Sequence, residues 1–166
     1  NAGAAVTIGI KNTIIGGEAG DALTTGNNNI AIGYGALGAE DTGSRNVAIG
    51  QSALSSLNFN GNGYNIAIGH NAGIAVTTGT QNTIIGAQAG DALTTGGENV
   101  AIGYAALSAE DAYGQNVAVG HNALASLNAG ANALNTAVGY FAGLNVTTGT
   151  KNTLIGGNAG DAINTG

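Results

Sequence analysis

Short apolar runs recur along this chain at a near-fixed interval, each opening on an asparagine and closing on a glycine. The five-residue unit Asn-x-x-Ile/Val-Gly begins at Asn12, Asn29, Asn46, Asn65, Asn82, Asn99, Asn116, Asn135 and Asn152. Successive units are 17 residues apart, except for two intervals of 19, which start at Asn46 and Asn116. The series itself recurs after 70 residues, and residues 1–70 share 43 identities with residues 71–140. A rung of about 17 residues is thus nested in a block of four rungs, and the repeat dictates how every other motif is read. When each rung is numbered from its Asn, position 2 is Thr, Val or Ile, and position 3 is Ala except at Ile14, Ile84 and Leu154. Position 4 is always Ile or Val, position 5 always Gly and position 8 always Ala. Three β-branched or small residues closed by glycine predict a short strand, with the glycine supplying a positive-φ turn.

Such a rung is too short for a pair of helices and too long for one hairpin arm. It predicts an all-β parallel solenoid, a β-roll over residues 1–166 in a single repeat array, with equivalent strands stacked ~4.8 Å apart. Nine rungs make a rod roughly 40–45 Å long. The column of Asn12, Asn29, Asn46, Asn65, Asn82, Asn99, Asn116, Asn135 and Asn152 is expected to form an amide ladder, each side chain bonding the rungs above and below. Ala105–Glu110 admits a short helical turn within its rung. Alternation sends positions 2 and 4 to one face and positions 3 and 5 to the other. With positions 2 and 4 taken as the interior, Ala31, Ala48 and Ala67 face outward and permit close approach of another backbone. The core then holds only positions 2, 4, 8, 9 and 12, several of them Ala. A core that thin predicts a homo-oligomer, most simply a trimer. The chain enters at rung position 7 and leaves at position 15 with no atypical capping repeat. It is expected to be an uncapped excerpt of a longer fibre, or a subunit that stacks end to end into a filament.

Composition narrows the function. Of 166 residues 31 are Gly, with no Pro, which excludes collagen, and 43% are apolar, which excludes a disordered chain. Three basic residues against nine acidic ones leave a net charge of −6, so nucleic acid and anionic membrane are not expected partners. No apolar run reaches the length of a membrane span, so no membrane insertion is expected. The absence of Cys removes disulfides and thiolate metal sites.

Nothing in the sequence assembles a catalytic relay, and no enzyme, cofactor or metal site is expected. His70 and His121 lie in different blocks without a Ser or Cys partner pattern. The run Gly16-Gly17-Glu18-Ala19-Gly20 lacks the Lys-Ser/Thr ending of a phosphate loop and recurs as a structural repeat. Asp21, Asp91 and Asp161 recur only every 70 residues, too far apart for shared calcium ligation. Glu40-Asp41 and Glu110-Asp111 are read as exposed acidic turns. Position 12 is otherwise apolar, so these glutamates suggest a change of path every fourth rung. The extra residues of the long rungs fall near 58–64 and 128–134, which are read as surface loops. Position 6 carries Tyr34, His70, Tyr104, His121 and Tyr140. The column is read first as a stacked ladder stabilising a turn or an interchain seam, and second as a polar-aromatic stripe able to cradle sugar rings.

The motif Asn-x-Ala-Ile-Gly-Tyr-x-Ala-Leu, seen at Asn29–Leu37 and Asn99–Leu107, resembles the repeats of phage tail-fibre proteins. The pentad also resembles the head repeats of trimeric autotransporter adhesins. The resemblance covers essentially the whole chain and implies a left-handed parallel β-roll in a three-chain bundle. It further implies an extracellular location on a cell surface or virion, and a structural fibre segment giving reach and attachment, with a surface glycan or receptor as a possible further partner. Two alternatives from other classes are a carbohydrate-binding solenoid using the position 6 stripe and an ice-binding solenoid. The latter would use Thr24-Thr25, Thr77-Thr78, Thr94-Thr95 and Thr147-Thr148, a rank interrupted in the intervening rungs.

Overall fold

Nine three-residue strands carry the fold in this computed structural model, which describes residues 1–165. They are β1 (Thr13–Ile15), β2 (Ile30–Ile32), β3 (Val47–Ile49), β4 (Ile66–Ile68), β5 (Thr83–Ile85), β6 (Val100–Ile102), β7 (Val117–Val119), β8 (Thr136–Val138) and β9 (Thr153–Ile155). All pair in parallel in chain order, each residue with its equivalent in the next rung, as in Ala31 with Ala48. The chain is a parallel β-solenoid of rungs about 17 residues apart. Among the described residues there is no helix, so Ala105–Glu110 is not the helical turn its composition allows. Hydrogen bonds to the neighbouring rungs and the turns of its own rung hold that stretch instead.

Backbone groups of each rung are satisfied mainly by the rungs on either side, as a stacked parallel sheet requires. The position 2 amide donates forward, Ile30 N–H to Asn46 O at 2.9 Å, and the position 5 amide donates back, Gly33 N–H to Ile15 O at 2.8 Å. The return half of the rung is built from successive turns, with Ala36 N–H to Gly33 O at 3.3 Å and Leu23 N–H to Gly20 O at 3.2 Å. Position 7, the third residue of the first turn, has positive φ, as at Ser52 (56°) and Gln88 (57°), which suits a type II turn. The position 5 glycine is fixed twice over. At Gly86 φ is +134°, and a Cβ there would lie 2.4 Å from the carbonyl oxygen of Gly103 in the next rung.

The sheet's inner and outer faces are the reverse of those expected from its sequence. Ala31, Ala48, Ala67, Ala101, Ala118 and Ala137 at position 3 are fully buried, as is Ile84, whereas positions 2 and 4 face outward and are half-buried or exposed. The core therefore consists of positions 3, 8, 9 and 12, with the Asn column along its margin.

Size complementarity across the narrow rung explains why Ala can occupy position 3. Where position 3 is Ala, position 9 is a buried leucine in four rungs, Leu37, Leu54, Leu107 and Leu124. Where position 3 is Ile14, Ile84 or Leu154, position 9 is Gly20, Gly90 or Gly160. Rungs with Ala and Gly at both sites borrow volume from their neighbours. A Cβ on Gly73 would meet Ile84 Cδ1 at 2.9 Å and Leu54 Cδ2 at 3.1 Å, one from each adjacent rung. Large and small side chains thus interlock along the axis as well as across it.

Candidate functional site

Strand alternation, with Ala and Asn turned inward, leaves the outer sheet face to the larger β-branched residues. Position 4 contributes Ile15, Ile32, Ile49, Ile68, Ile85, Ile102, Val119, Val138 and Ile155, and position 2 adds Val, Ile or Thr beside each. Nothing within the described chain covers these columns. Ile66 is 39% exposed in the middle of the rod, and the neighbouring position 4 side chains are half-buried. A continuous apolar strip on a flat parallel sheet is uncommon, because such sheets are ordinarily covered on both faces.

One edge of this strip is position 17, or 19 in the long rungs. All three basic residues lie there, Lys11, Arg45 and Lys151, alongside Tyr64, Gln81, Glu98, Gln115 and Leu134, and every one of these is exposed. Arg45 donates through Nη1 to the Tyr64 hydroxyl and sits 5.5 Å from the centre of its ring. Gln115 Nε2 donates to Glu98 Oε2 at 3.0 Å. Among the described residues there is no ion pair between a basic and an acidic side chain.

The other edge is position 6, and only part of the expected stripe forms there. Tyr104 and His121 stack at 5.1 Å and His121 meets Tyr140 at 5.4 Å. Phe141 at position 7, not foreseen from the sequence, closes the cluster at 4.0 Å from Tyr140. Tyr34 and His70 stand outside it, because the intervening rungs carry Gln51 and Ala87 at this position. Tyr34 leans over Gly17, and the Glu18 carboxylate beside its hydroxyl pushes that group's pKa up.

The Asn column is a ladder of a different kind from the one expected. Each Oδ1 accepts the backbone N–H of the next Asn, as in Asn99 N–H to Asn82 Oδ1 at 3.0 Å. The Nδ2 group mostly turns back into its own rung, Asn82 to Gly96 O at 2.9 Å and Asn29 to Gly43 O at 2.8 Å. Direct amide contacts are secondary, for example Asn82 Nδ2 to Asn65 Oδ1 at 3.2 Å. From Asn29 to Asn116 these residues are fully buried, so the ladder is structural and offers nothing to a ligand.

Glu40 and Glu110 are buried rather than exposed, and they explain the broken column at position 12. Each lies one rung before a 19-residue rung. Glu40 Oε1 accepts the Gly43 N–H at 2.7 Å, while Oε2 accepts the Phe59 N–H from the long loop at 3.3 Å. Phe59 and Ala129 pack against the core, so these loops are not wholly surface features. In the second block Tyr113 replaces Gly43, where a Cβ would lie 2.5 Å from the glutamate carboxyl. Glu110 keeps a 3.3 Å bond from the Tyr113 N–H, but its Oε2 has no hydrogen-bond partner. Burial pushes both carboxyls above the usual range, opposed by the backbone N–H groups around them.

Within the threonine rank, Thr77, Thr94, Thr95 and Thr147 donate their hydroxyls to carbonyl oxygens of the next rung at 2.8–3.3 Å, and Thr24 donates to the Asp41 carboxylate. Among the described residues there is no pocket, no group of three His, Asp or Glu placed to hold a metal ion, and no helix long and apolar enough to cross a membrane. No family model, curated protein or solved structure matches this chain.

Proposed function

We propose that this chain is a structural segment of an extracellular fibre, the shaft or head of a virion tail fibre or surface adhesin, in which copies associate as a homotrimer. The observation that carries this reading is the uncovered apolar strip that runs the length of a rod whose interior is already filled. The strip is roughly 40 Å long and, with its flanking edge columns, roughly 20 Å wide, on the order of 800 Å² per copy, which matches a stable protein interface. Reach and display require nothing more than stacked backbone and a partnered face.

Sedimentation equilibrium tests the reading. The expected result is a trimer that dissociates when Ile68→Glu and Ile102→Glu place carboxylates in the middle of the strip. A stable monomer at micromolar concentration, unchanged by these substitutions, overturns it.

A second reading, glycan binding at Tyr104, His121, Tyr140 and Phe141, is supported by the two tyrosines, 48% and 56% exposed at the flanks of the stack. Both faces of the imidazole are occupied by neighbouring rings, so a sugar would rest on the outer tyrosine faces. Hits on a glycan array that vanish in Tyr104→Ala with Tyr140→Ala support it, and an array without hits removes it.

A further inference from the structure

The long rung of the first block holds a reactive pairing that the rest of the solenoid suppresses. Asn-Gly occurs twice in the chain, at Asn60-Gly61 and Asn62-Gly63, both within the inserted segment. In such a pair the glycine nitrogen, with no Cβ beside it, can approach the carboxamide carbon of the preceding side chain. The fold separates the two pairs. Asn60 is exposed, and among the described residues no hydrogen bond engages its carboxamide or the Gly61 N–H. Asn62 is exposed too, but Gly63 is buried and tied on both sides: its N–H donates to Ser44 O at 2.9 Å, and its carbonyl accepts the Gln81 N–H at 2.8 Å. The ladder asparagines are closed off further. Each precedes Thr, Val or Ile, whose branched Cβ crowds the amide. From Asn12 to Asn135 that amide is also committed to the next rung, as in Ile66 N–H to Asn82 O at 2.8 Å.

We infer that Asn60 is a site of spontaneous covalent modification, converting to aspartate and isoaspartate through an imide with Gly61 while Asn62 is spared. The Gly61 nitrogen gives up its proton and bonds to Asn60 Cγ; the Cγ–Nδ2 bond breaks, and ammonia departs carrying that proton. Water then opens the imide at one of its two carbonyls. Opening at Cγ restores the main chain with aspartate at position 60. Opening at the former main-chain carbonyl routes the chain through Cγ as isoaspartate. One water is consumed and one ammonia released, with no oxidation or reduction. Only isoaspartate lengthens the backbone. Asn60 sits between two anchors, the Phe59 N–H on Glu40 Oε2 at 3.3 Å and the Gly61 carbonyl on the Ser44 N–H at 2.8 Å. One added methylene between them releases the weaker hold, so the loop loosens where Glu40 grips it. The second block has no counterpart, because Ala129-Gly130 stands in place of Phe59-Asn60, and Asn132 precedes Ala133.

Incubation of the whole chain in mildly alkaline buffer, followed by mass spectrometry of peptic fragments spanning residues 58–64, tests this. Digestion in acid adds little further conversion, and fragmentation assigns the mass gained on exchanging NH2 for OH to one asparagine or the other. The folded chain is expected to convert at Asn60 at least several-fold faster than at Asn62, with the ladder asparagines unchanged. The chain unfolded in urea is expected to convert both Asn-Gly pairs at similar rates, which assigns the difference to the fold. Equal rates in the folded chain, a faster Asn62, or an Asn60 that stays intact while the unfolded chain converts would each overturn the inference. Asn60→Gln, whose longer side chain would have to close a larger ring, is expected to leave the loop unmodified over the same period. Hydrogen exchange reads the consequence: in the isoaspartyl fraction protection falls at Phe59 or Ser44, while Asn128, bonded to Thr147 O at 2.8 Å in the second block, keeps its own. Unchanged protection at both Phe59 and Ser44 would show that the added methylene releases neither anchor and would overturn that step.

Discussion

At the scale of single residues, the fold depends on polar groups buried where an apolar side chain would be expected. Asn82 satisfies two buried backbone groups at once, the Gly96 carbonyl and the Asn99 amide. Asn82→Ala strips both and leaves the carbonyl and the amide without these partners, so it is expected to cost about 2–4 kcal/mol, read as a lower urea midpoint. Glu110 works in the opposite direction. Its carboxyl is raised by burial, so the folded state holds its proton more tightly than the unfolded chain does. The stability this group contributes is therefore fully present below the unfolded pKa and is lost as pH rises through the raised folded value. Glu110→Gln is expected to stabilise the protein at pH 7 by on the order of 1 kcal/mol and to flatten the acid side of its stability profile. Glu40→Gln should gain less, because both Glu40 oxygens already accept amide hydrogens. Thermal melts between pH 4 and pH 8 separate the two, and a loss of stability in Glu110→Gln at pH 7 would refute this account.

At the scale of the rung, the spacing of Asn and Gly made strand position, parallel pairing and register legible, because one residue type recurs wherever one environment recurs. What the spacing left hidden was which face is inside. Period-2 alternation reveals an interior only when one face is polar, and here positions 2, 3 and 4 are all apolar or small. The deciding signal lay across the rung, in the pairing of Ala31 with Leu37 and of Ile84 with Gly90, a correspondence between positions six residues apart that no strand template includes. Glu40 and Glu110 were likewise visible as interruptions, but their role depends on a loop one rung further on. The position 6 column could be read off the sequence, yet its break at Gln51 and Ala87 confines the ring cluster to the second block. The pairing rule is testable by exchange. Leu37→Gly should open a cavity costing about 2–5 kcal/mol, and Ala31→Ile should overpack the core by about 1–3 kcal/mol. The double variant reproduces the arrangement of the β5 rung and is expected to recover at least half of the summed loss. Strict additivity in that double-mutant cycle would show that the two positions do not share one space.

At the scale of the whole rod, every strand pairs only with its immediate neighbours in the chain, so stability is a sum of rung terms and interfaces between adjacent rungs. A defect in the middle should therefore divide the molecule rather than weaken it evenly. Gly86 is the sharpest place to make one. A methyl group there meets the Gly103 carbonyl oxygen at 2.4 Å, and neither backbone can withdraw without breaking the hydrogen bonds of positions 2 and 5 on both sides. Gly86→Ala is expected to split a single unfolding transition into two, with β1–β4 and β6–β9 melting separately. The control is Gly130→Ala in the long loop, where φ is also positive at 70° but nothing lies within 4 Å of the added carbon. That substitution carries only the local left-handed strain, about 1 kcal/mol, and should shift one transition without dividing it. Hydrogen exchange followed rung by rung distinguishes the outcomes. Uniform loss of protection in Gly86→Ala would mean that the rod unfolds as one cooperative body and that its stability is not a sum of contacts between successive rungs.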